Sequence, residues 1–377
     1  MTMKNGIGFI QDFRGIAALS VVLFHASNFI SPYGQGLGGL LFGPSGTMGV
    51  DLFFIISGFI MVYATRSSDG TAKYTREFLT RRFSRVFPLY AITTLIYYVL
   101  CQHYEVPGNL SGSDLISSLL FMPIGGDYGP VYGWPVLGVG WTLNYEIYFY
   151  LIFGLTLLLG RMKWLALAVW FAFTIYFLPG LTGREFNILP AIHYHYPVEY
   201  LNLITNPVII LFLSGAAIGY IYLSRFRLHF VPSVIVAVTS SLFFGWQYST
   251  HYNVDHGATQ WGLSLIPLVL AFAVASKSIQ IPTSRVTQYL GEISFSLYLT
   301  HPMVMMFYHK FMGWAGLAGV SLGFPGIAVV LLGSIAVAAV FNRYVEIRFS
   351  DWFRDALLGR RRTTRKNLAA AKVVNPS

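Results

Sequence analysis

Long apolar runs, separated by short polar or glycine-rich stretches, recur along the whole chain. Each is about 18–22 residues long, which is the length that an α-helix needs to cross a hydrocarbon core of about 30 Å. We predict ten spans, at 8–30, 47–65, 86–103, 138–160, 163–180, 206–224, 231–248, 261–276, 288–309 and 322–344. Residues 1–345 are thus predicted to form a ten-span membrane domain, and residues 346–377 a basic cytoplasmic tail that contacts lipid.

Basic residues collect on one side of this predicted bundle. If the N-terminus is cytoplasmic and the spans alternate, 23 of the 25 Lys and Arg residues fall on the inner side, and only Arg184 and Lys310 fall outside. Cytoplasmic loops carry an excess of Lys and Arg, and a wrong span count would mix the two sides. The sequence therefore predicts an all-α integral membrane protein with both termini in the cytoplasm. The net charge of +10 reflects this topology, so we expect no nucleic-acid partner.

The first predicted span carries two polar residues on one face. Arg14 and His25 are eleven residues apart, which is about three helical turns and roughly 16 Å along the axis. Arg14 would then lie near the inner boundary and His25 deep in the membrane. Polar side chains at that depth are costly and indicate function. The spacing suits a long anionic ligand whose charged end binds Arg14 and whose far end reaches His25.

A basic segment, 73–90, precedes the third span. Its apolar residues recur at helical spacing, which predicts an amphipathic helix at the inner surface. Arg82 and Arg85 share a face, with Arg81 beside them, and paired guanidiniums can bind a phosphate. The alternative is that the cluster only anchors the topology or contacts anionic lipid.

Four further polar residues are predicted to lie at one depth, between the middle of the membrane and its outer boundary: His25, Asp51, Glu146 and His301. Together they form a plausible acid–base site. Individually, each histidine could serve packing or backbone hydrogen bonding, Asp51 could cap a helix, and Glu146 could be a structural acceptor. A metal site is not expected, because a single cysteine excludes a cysteine-based site and the predicted spans lack paired histidines on one helical turn.

Aromatic residues accompany these polar positions and enrich the outer loops. Trp141, Tyr145 and Tyr298 are predicted to bind the substrate, and Tyr298 shares a helical stripe with His301. Aromatic rings with carboxylates and histidines in the loops at 107–137 and 193–200 suit sugar binding. An aromatic belt at the membrane interface is the alternative interpretation.

Taken together, these motifs resemble the membrane-bound acyltransferase family 3, the bacterial O-acyltransferases of surface polysaccharides. The resemblance rests on five blocks in the family's order, at 13–25, 49–59, 81–90, 141–146 and 294–301. It implies a bacterial inner-membrane enzyme that takes an acyl group from cytoplasmic acyl-coenzyme A, most simply acetyl-coenzyme A, and esterifies a glycan hydroxyl. The family's arginine–histidine pair corresponds to Arg14 and His25, and its RxxR pair to Arg82 and Arg85. The chain resembles the standalone members that act on exopolysaccharide or lipopolysaccharide.

The expected mechanism uses His25 as a general base, with Asp51 or Glu146 orienting its imidazole. His301, Tyr298 or backbone N–H groups could stabilise the oxyanion. No metal is expected, because a thioester is already activated. The acyl group stays open, with succinyl as one alternative, and the sequence gives no oligomeric state. A transporter or channel and a scaffold for polysaccharide export are the competing functions.

Overall fold

The computed structural model describes residues 7–30, 36–104, 110–126, 128–317 and 323–359. Within these ranges the chain is helical and has no β-strand. The α-helices are α1 Gly8–Ala26, α2 Gly36–Phe42, α3 Ser45–Ala64, α4 Ala72–His103, α5 Gly112–Leu119, α6 Trp141–Leu157, α7 Lys163–Ala172, α8 Leu178–Leu181, α9 Glu199–Ile204, α10 Ile210–Leu223, α11 Phe230–Thr250, α12 Gly262–Ala275, α13 Arg285–Glu292, α14 Ser294–Trp314, α15 Phe324–Phe341 and α16 Ser350–Leu357. Lys4 and the last 18 residues of the predicted basic tail lie outside the described ranges.

Six helical segments of the described chain are long and apolar enough to cross a membrane, so the protein is a multi-pass membrane protein. They are Gly8–Phe29, Gly36–Ala64, Ala72–His103, Gly160–Leu181, Phe230–Thr250 and Phe324–Leu357. The predicted spans at 206–224 and 261–276 contain the shorter apolar helices Pro207–Leu223 and Gly262–Ala275. The span at 138–160 contains α6, whereas the span at 288–309 covers the end of α13 and only part of α14, which continues to Trp314.

The basic segment before the third span differs from the prediction. It does not form a separate surface helix, because α4 runs without a break from Ala72 to His103 and includes Pro88. Proline is tolerated inside membrane helices where neighbouring elements satisfy the freed carbonyl. As a result, Arg82 and Arg85 lie on the same rigid helix as the span that follows them.

The centre of the bundle is a close packing of α3 between α1 and α10, made possible by glycines. A Cβ added to Gly49 would lie 2.5 Å from the carbonyl oxygen of Ala17 in α1. One added to Gly215 in α10 would lie 1.9 Å from the carbonyl oxygen of Ile55. Small residues let membrane helices approach until their backbones touch. Helix α3 is therefore held against α1 on one side and α10 on the other.

Ring contacts establish the direction of these three helices. Phe9, at the start of α1, packs against Phe59 near the end of α3, and Tyr63 packs against Tyr222 at the end of α10. At the opposite end, the Ser45 hydroxyl at the start of α3 donates to the Ser20 carbonyl. We call the end where α1 begins the base of the bundle and the opposite end the top. Helix α1 runs from base to top, and α3 and α10 run from top to base.

Candidate active site

A cavity lies between five helices of the bundle. It is lined by residues from α1, α3, α4, α6 and α14 and holds about 660 Å³ of empty space, including its open mouth. Its polar lining residues are Arg14, Ser57, Arg82, Arg85, Thr142, Glu146, Tyr150 and Tyr298. Most of the other lining side chains are apolar. Such a combination of apolar walls and a few convergent polar groups is typical of small-molecule sites.

Helical spacing explains why these residues converge. Thr142, Glu146 and Tyr150 follow one another at steps of four along α6, so they form one stripe. Arg82 and Arg85 are three apart on α4 and also share a face. The sequence-predicted arginines at positions 14, 82 and 85 thus meet at one cavity.

The three guanidinium groups at this cavity lack acidic partners. Within the described ranges, no carboxylate oxygen lies within 4.0 Å of Arg14, Arg82 or Arg85. Arg14 donates to the side chain of Gln11 at 3.2 Å. Arg82 lies over the rings of Phe78 and Tyr150, at 5.7 and 5.5 Å from their centroids. Half-buried cations that no carboxylate contacts favour an anionic ligand.

The fourth predicted arginine lies apart from this group. Arg81 is exposed, and its guanidinium forms a 2.7 Å ion pair with Glu77 one turn earlier on α4. It does not line the cavity. The reason is the helical rotation of about 100° per residue, which turns Arg81 away from the face that Arg82 and Arg85 share.

Glu146 is at the arginine cavity and not beside His25. Its Oε1 accepts a short hydrogen bond from Tyr150 and a longer one, of 3.4 Å, from Ser57. Ser57 is twelve residues further along α3 than Ser45, the residue that contacts the top of α1, so it lies about 18 Å deeper. Glu146 shares that depth and lies in the field of the three arginines.

His25 instead pairs with His301. Nδ1 of His25 lies 3.3 Å from Nε2 of His301, and the ring centroids are 5.0 Å apart. Nδ1 of His301 lies 3.1 Å from the Leu297 carbonyl, and Nδ1 of His25 lies 2.9 Å from the Val21 carbonyl. Carbonyls only accept, so each neutral ring carries its proton on Nδ1. His25 then donates to the lone pair on Nε2 of His301, and its own Nε2 carries a lone pair.

Tyr298 connects the two groups of residues. Its side chain lines the cavity and its ring centroid is 6.3 Å from that of His301. The hydroxyl is fixed by the Val139 carbonyl at 2.9 Å and by the Thr142 hydroxyl at 3.0 Å. Neither histidine lines the cavity directly. The order from the arginines is therefore Tyr298, then His301, then His25.

Asp51 has a different partner from the expected one. Its fully buried carboxylate binds Nδ1 of His256 at 2.7 Å and the backbone N–H of Gly257 at 2.8 Å. The expected contact with His25 is not made, because Gly49 faces α1 and Asp51 is about 200° further round the same helix. The carboxylate therefore fastens the loop between α11 and α12 onto α3.

The aromatic residues predicted to bind substrate divide in the same way. Tyr298 borders the cavity, whereas Tyr145 is fully buried with its hydroxyl bound to the Pro130 carbonyl at 2.8 Å. Trp141 packs edge-on against His256, at 5.3 Å between centroids. Neither of the last two lines the cavity.

The structure thus separates the four acid–base candidates into three groups, namely His25 with His301, Asp51 with His256, and Glu146 with the arginines. Sequence reasoning missed His256 and Tyr150. Tyr150 could have been found from its four-residue step after Glu146. His256 is in a loop more than 200 positions from Asp51, and no local pattern signals that contact.

Comparison with known proteins now adds to this geometry. A family model described as an acyltransferase domain matches residues 8–343, nearly the whole chain. The chain belongs to the membrane-bound acyltransferase family 3. This acyltransferase contains the arginine cavity and the histidine pair within the matched region.

Several curated proteins are similar to this acyltransferase along most of their length. The exopolysaccharide production protein ExoZ of Rhizobium meliloti (strain 1021) is 30% identical over 78% of this chain and 87% of its own. The acyltransferase MdmB of Streptomyces mycarofaciens is 27% identical over 94% and 92%. A putative acetyltransferase of Acidianus two-tailed virus, ORF330, is 24% identical over 85% and 89%. No solved structure matches the chain significantly.

Proposed function

We propose that this acyltransferase moves an acyl group from cytoplasmic acyl-coenzyme A to a hydroxyl of a cell-surface or exported glycan. The observation that carries the proposal is the convergence of three guanidiniums, none within 4.0 Å of a carboxylate in the described chain, on one cavity whose lining residue Tyr298 has its ring centroid 6.3 Å from that of His301. Coenzyme A has phosphates at one end and its thioester at the end of a thin arm. The phosphates match the cationic lining of the cavity, and the arm would have to pass Tyr298 to reach the histidine pair.

The donor binds by its phosphates at Arg14, Arg82 and Arg85. Arg82 and Arg85 can form the paired hydrogen bonds that phosphate oxygens accept. Glu146 and Tyr150 are hydrogen-bonded to each other and line the same cavity, and the ring of Tyr150 lies within cation–π distance of Arg82. We therefore assign Glu146 a positioning role at the phosphate site in place of the orienting role at His25.

The acyl transfer takes place at the histidine pair. Nε2 of His25 removes the proton of the acceptor hydroxyl as the hydroxyl oxygen attacks the thioester carbonyl carbon. The carbon–sulfur bond then breaks, and the coenzyme leaves as a thiol after taking back the proton. His301 and the Val21 carbonyl both accept from Nδ1 of His25, and together they hold the reactive tautomer. Tyr298, one turn before His301, donates its hydroxyl proton to the Val139 carbonyl, so we leave the oxyanion to a backbone N–H group.

The names of two relatives support a choice of acceptor and acyl group. ExoZ is named for exopolysaccharide production, and another relative is named as a putative acetyltransferase. We propose acetyl transfer to a glycan. The enzyme crosses the bacterial inner membrane ten times with both termini in the cytoplasm, an arrangement that the basic residues support because they collect on one side.

The decisive experiment compares two arginines on one helix. The purified protein is titrated with acetyl-coenzyme A, and binding is measured for wild type, Arg85→Gln and Arg81→Gln. We expect at least tenfold weaker binding for Arg85→Gln, since hydrogen bonds to charged groups contribute about 1.5–3 kcal/mol. Arg81→Gln should bind like wild type, because Arg81 pairs with Glu77 outside the cavity. Equal binding by both variants would remove the cavity as the donor site.

A further inference from the structure

A second concave surface lies at the base of the bundle, on the outside of α10, α11 and α12. It is an apolar groove with about 950 Å³ of empty space. Ile221, Val236, Phe243 and Leu270 line its length. None of its lining residues borders the arginine cavity. The groove is therefore a separate feature from the proposed active site.

One end of this groove is formed by residues 224–229, the segment that connects α10 to α11. Phe226 and Leu228 line the groove, while Arg225 and Arg227 are exposed. The segment thus joins an apolar wall to a cationic edge.

A third cation completes this edge. Lys277, just after α12, donates to the Ser224 carbonyl at 2.7 Å. Burial, and then repulsion from the neighbouring Arg227, lower the pKa of Lys277. Within the described ranges, no carboxylate lies within 4.0 Å of Arg225, Arg227 or Lys277. No carboxylate of the described chain thus contacts these three cations to offset their mutual repulsion.

We propose that the groove binds one anionic phospholipid. The phosphate is held by Arg225, Arg227 and Lys277, and a hydrocarbon tail lies along Ile221, Phe243 and Leu270. The three cations favour an anionic headgroup over a neutral one. The apolar groove that extends from them favours a molecule with a hydrocarbon tail over a free phosphate. Basic clusters at the ends of membrane helices on the cytoplasmic side attract anionic headgroups in this way.

The test measures lipid retention by native mass spectrometry of the detergent-purified protein. Phosphatidylglycerol and phosphatidylcholine with identical tails are added in equal amounts, and inorganic phosphate is the third probe. We expect one phosphatidylglycerol molecule to be retained at least tenfold better than phosphatidylcholine, with no lasting phosphate adduct. Equal retention of the two lipids would overturn the proposal.

Two variants separate the headgroup from the tail. Arg225→Gln with Arg227→Gln should lower phosphatidylglycerol retention tenfold or more. Thr239→Trp should do the same without any change in charge, because Thr239 is exposed and lines the groove. Size-exclusion profiles of the two variants are compared with that of the wild type as a control for folding. Retention unchanged by Thr239→Trp, or phosphate retained as well as the lipid, would mean a simple phosphate site and would refute the lipid.

The matched control is Arg161→Gln. Arg161 is exposed, follows the base end of α6 and does not border the groove. The Arg161→Gln variant should retain phosphatidylglycerol as well as the wild type does. If it lost the lipid as strongly as the double variant, general surface charge would account for binding and the groove would not. Because none of these readouts depends on acyl transfer, failure here leaves the proposed function untouched.

Discussion

Nε2 of His301 lies 3.3 Å from Nδ1 of His25, and each ring is also fixed by a carbonyl on its own helix. This relationship joins α1 to α14, and the Nδ1 proton of His25 that it uses is also accepted by the Val21 carbonyl, so Nε2 of His25 carries the lone pair. In the proposed mechanism His301 thus helps to hold the tautomer, a role that carboxylates have in many catalytic triads. A neutral acceptor does this without adding charge to a buried site.

Substitution of His301 should therefore act on turnover and not on donor binding. For His301→Ala we expect kcat to fall by about 10²-fold, within the range that positioned acid–base groups contribute. The KM for acetyl-coenzyme A should stay within about twofold of wild type. His301→Gln retains an acceptor oxygen and should recover part of the rate. Steady-state kinetics on purified protein test this, and a large rise in donor KM without loss of kcat would contradict it.

Arg82 should tolerate lysine poorly. Arg82→Lys keeps the positive charge but loses the planar pair of donors that a phosphate accepts. We expect the KM for acetyl-coenzyme A to rise about tenfold, with glycan preference unchanged. Since Arg82 is half-buried beside Tyr150, moderate salt should not remove the difference between variant and wild type. A donor KM equal to that of wild type would show that charge alone is sufficient.

The carboxylate of Asp51 should stabilise the loop between α11 and α12 and contribute little to donor binding. Asp51→Asn weakens the bonds to His256 and Gly257, so we expect about 1–3 kcal/mol lower unfolding free energy. His256→Gln should have a similar effect, and the double variant should be less destabilised than the sum of both. Denaturation of the detergent-solubilised protein measures the cycle. Strict additivity would mean that the two side chains do not act as a pair.

The glycine contact between α3 and α10 gives a prediction about stability. Gly215→Ala places a methyl group 1.9 Å from the Ile55 carbonyl oxygen, so the helices must separate. Overpacking of this kind costs about 1–3 kcal/mol, and we expect a clearly lower melting temperature. Gly245→Ala on α11 is the matched control, because nothing lies within 4 Å of its added Cβ. Equal melting temperatures for the two variants would contradict the close packing.

Local spacing was sufficient to predict part of the candidate site. The rotation and rise of a helix put Arg82 and Arg85 on one face, and the structure brings Arg14 to the same cavity. Tyr298 and His301 are neighbours for the same reason. Such relationships depend on one helix at a time, and they can be obtained without knowledge of the tertiary packing.

Contacts between helices could not be predicted in this way. Asp51 and His25 have similar predicted depths, but depth does not reveal which side of α3 faces α1. Gly49 determines that side through its contact with Ala17, and Asp51 consequently faces the distant loop that carries His256. The predicted depth of Glu146 was also wrong. Its contact with Ser57 depends on how α6 is placed against α3, which the sequence of α6 alone does not reveal.

The glycine contacts of α3 also limit how the donor can reach the cavity. With backbone touching backbone on both sides, α3 cannot slide against α1 or α10 without steric overlap. These three helices form a fixed wall. We therefore expect the proposed coenzyme A donor to enter on the opposite side, between the arginine-bearing α4 and the Tyr298-bearing α14, and any opening motion during turnover to belong to those two helices.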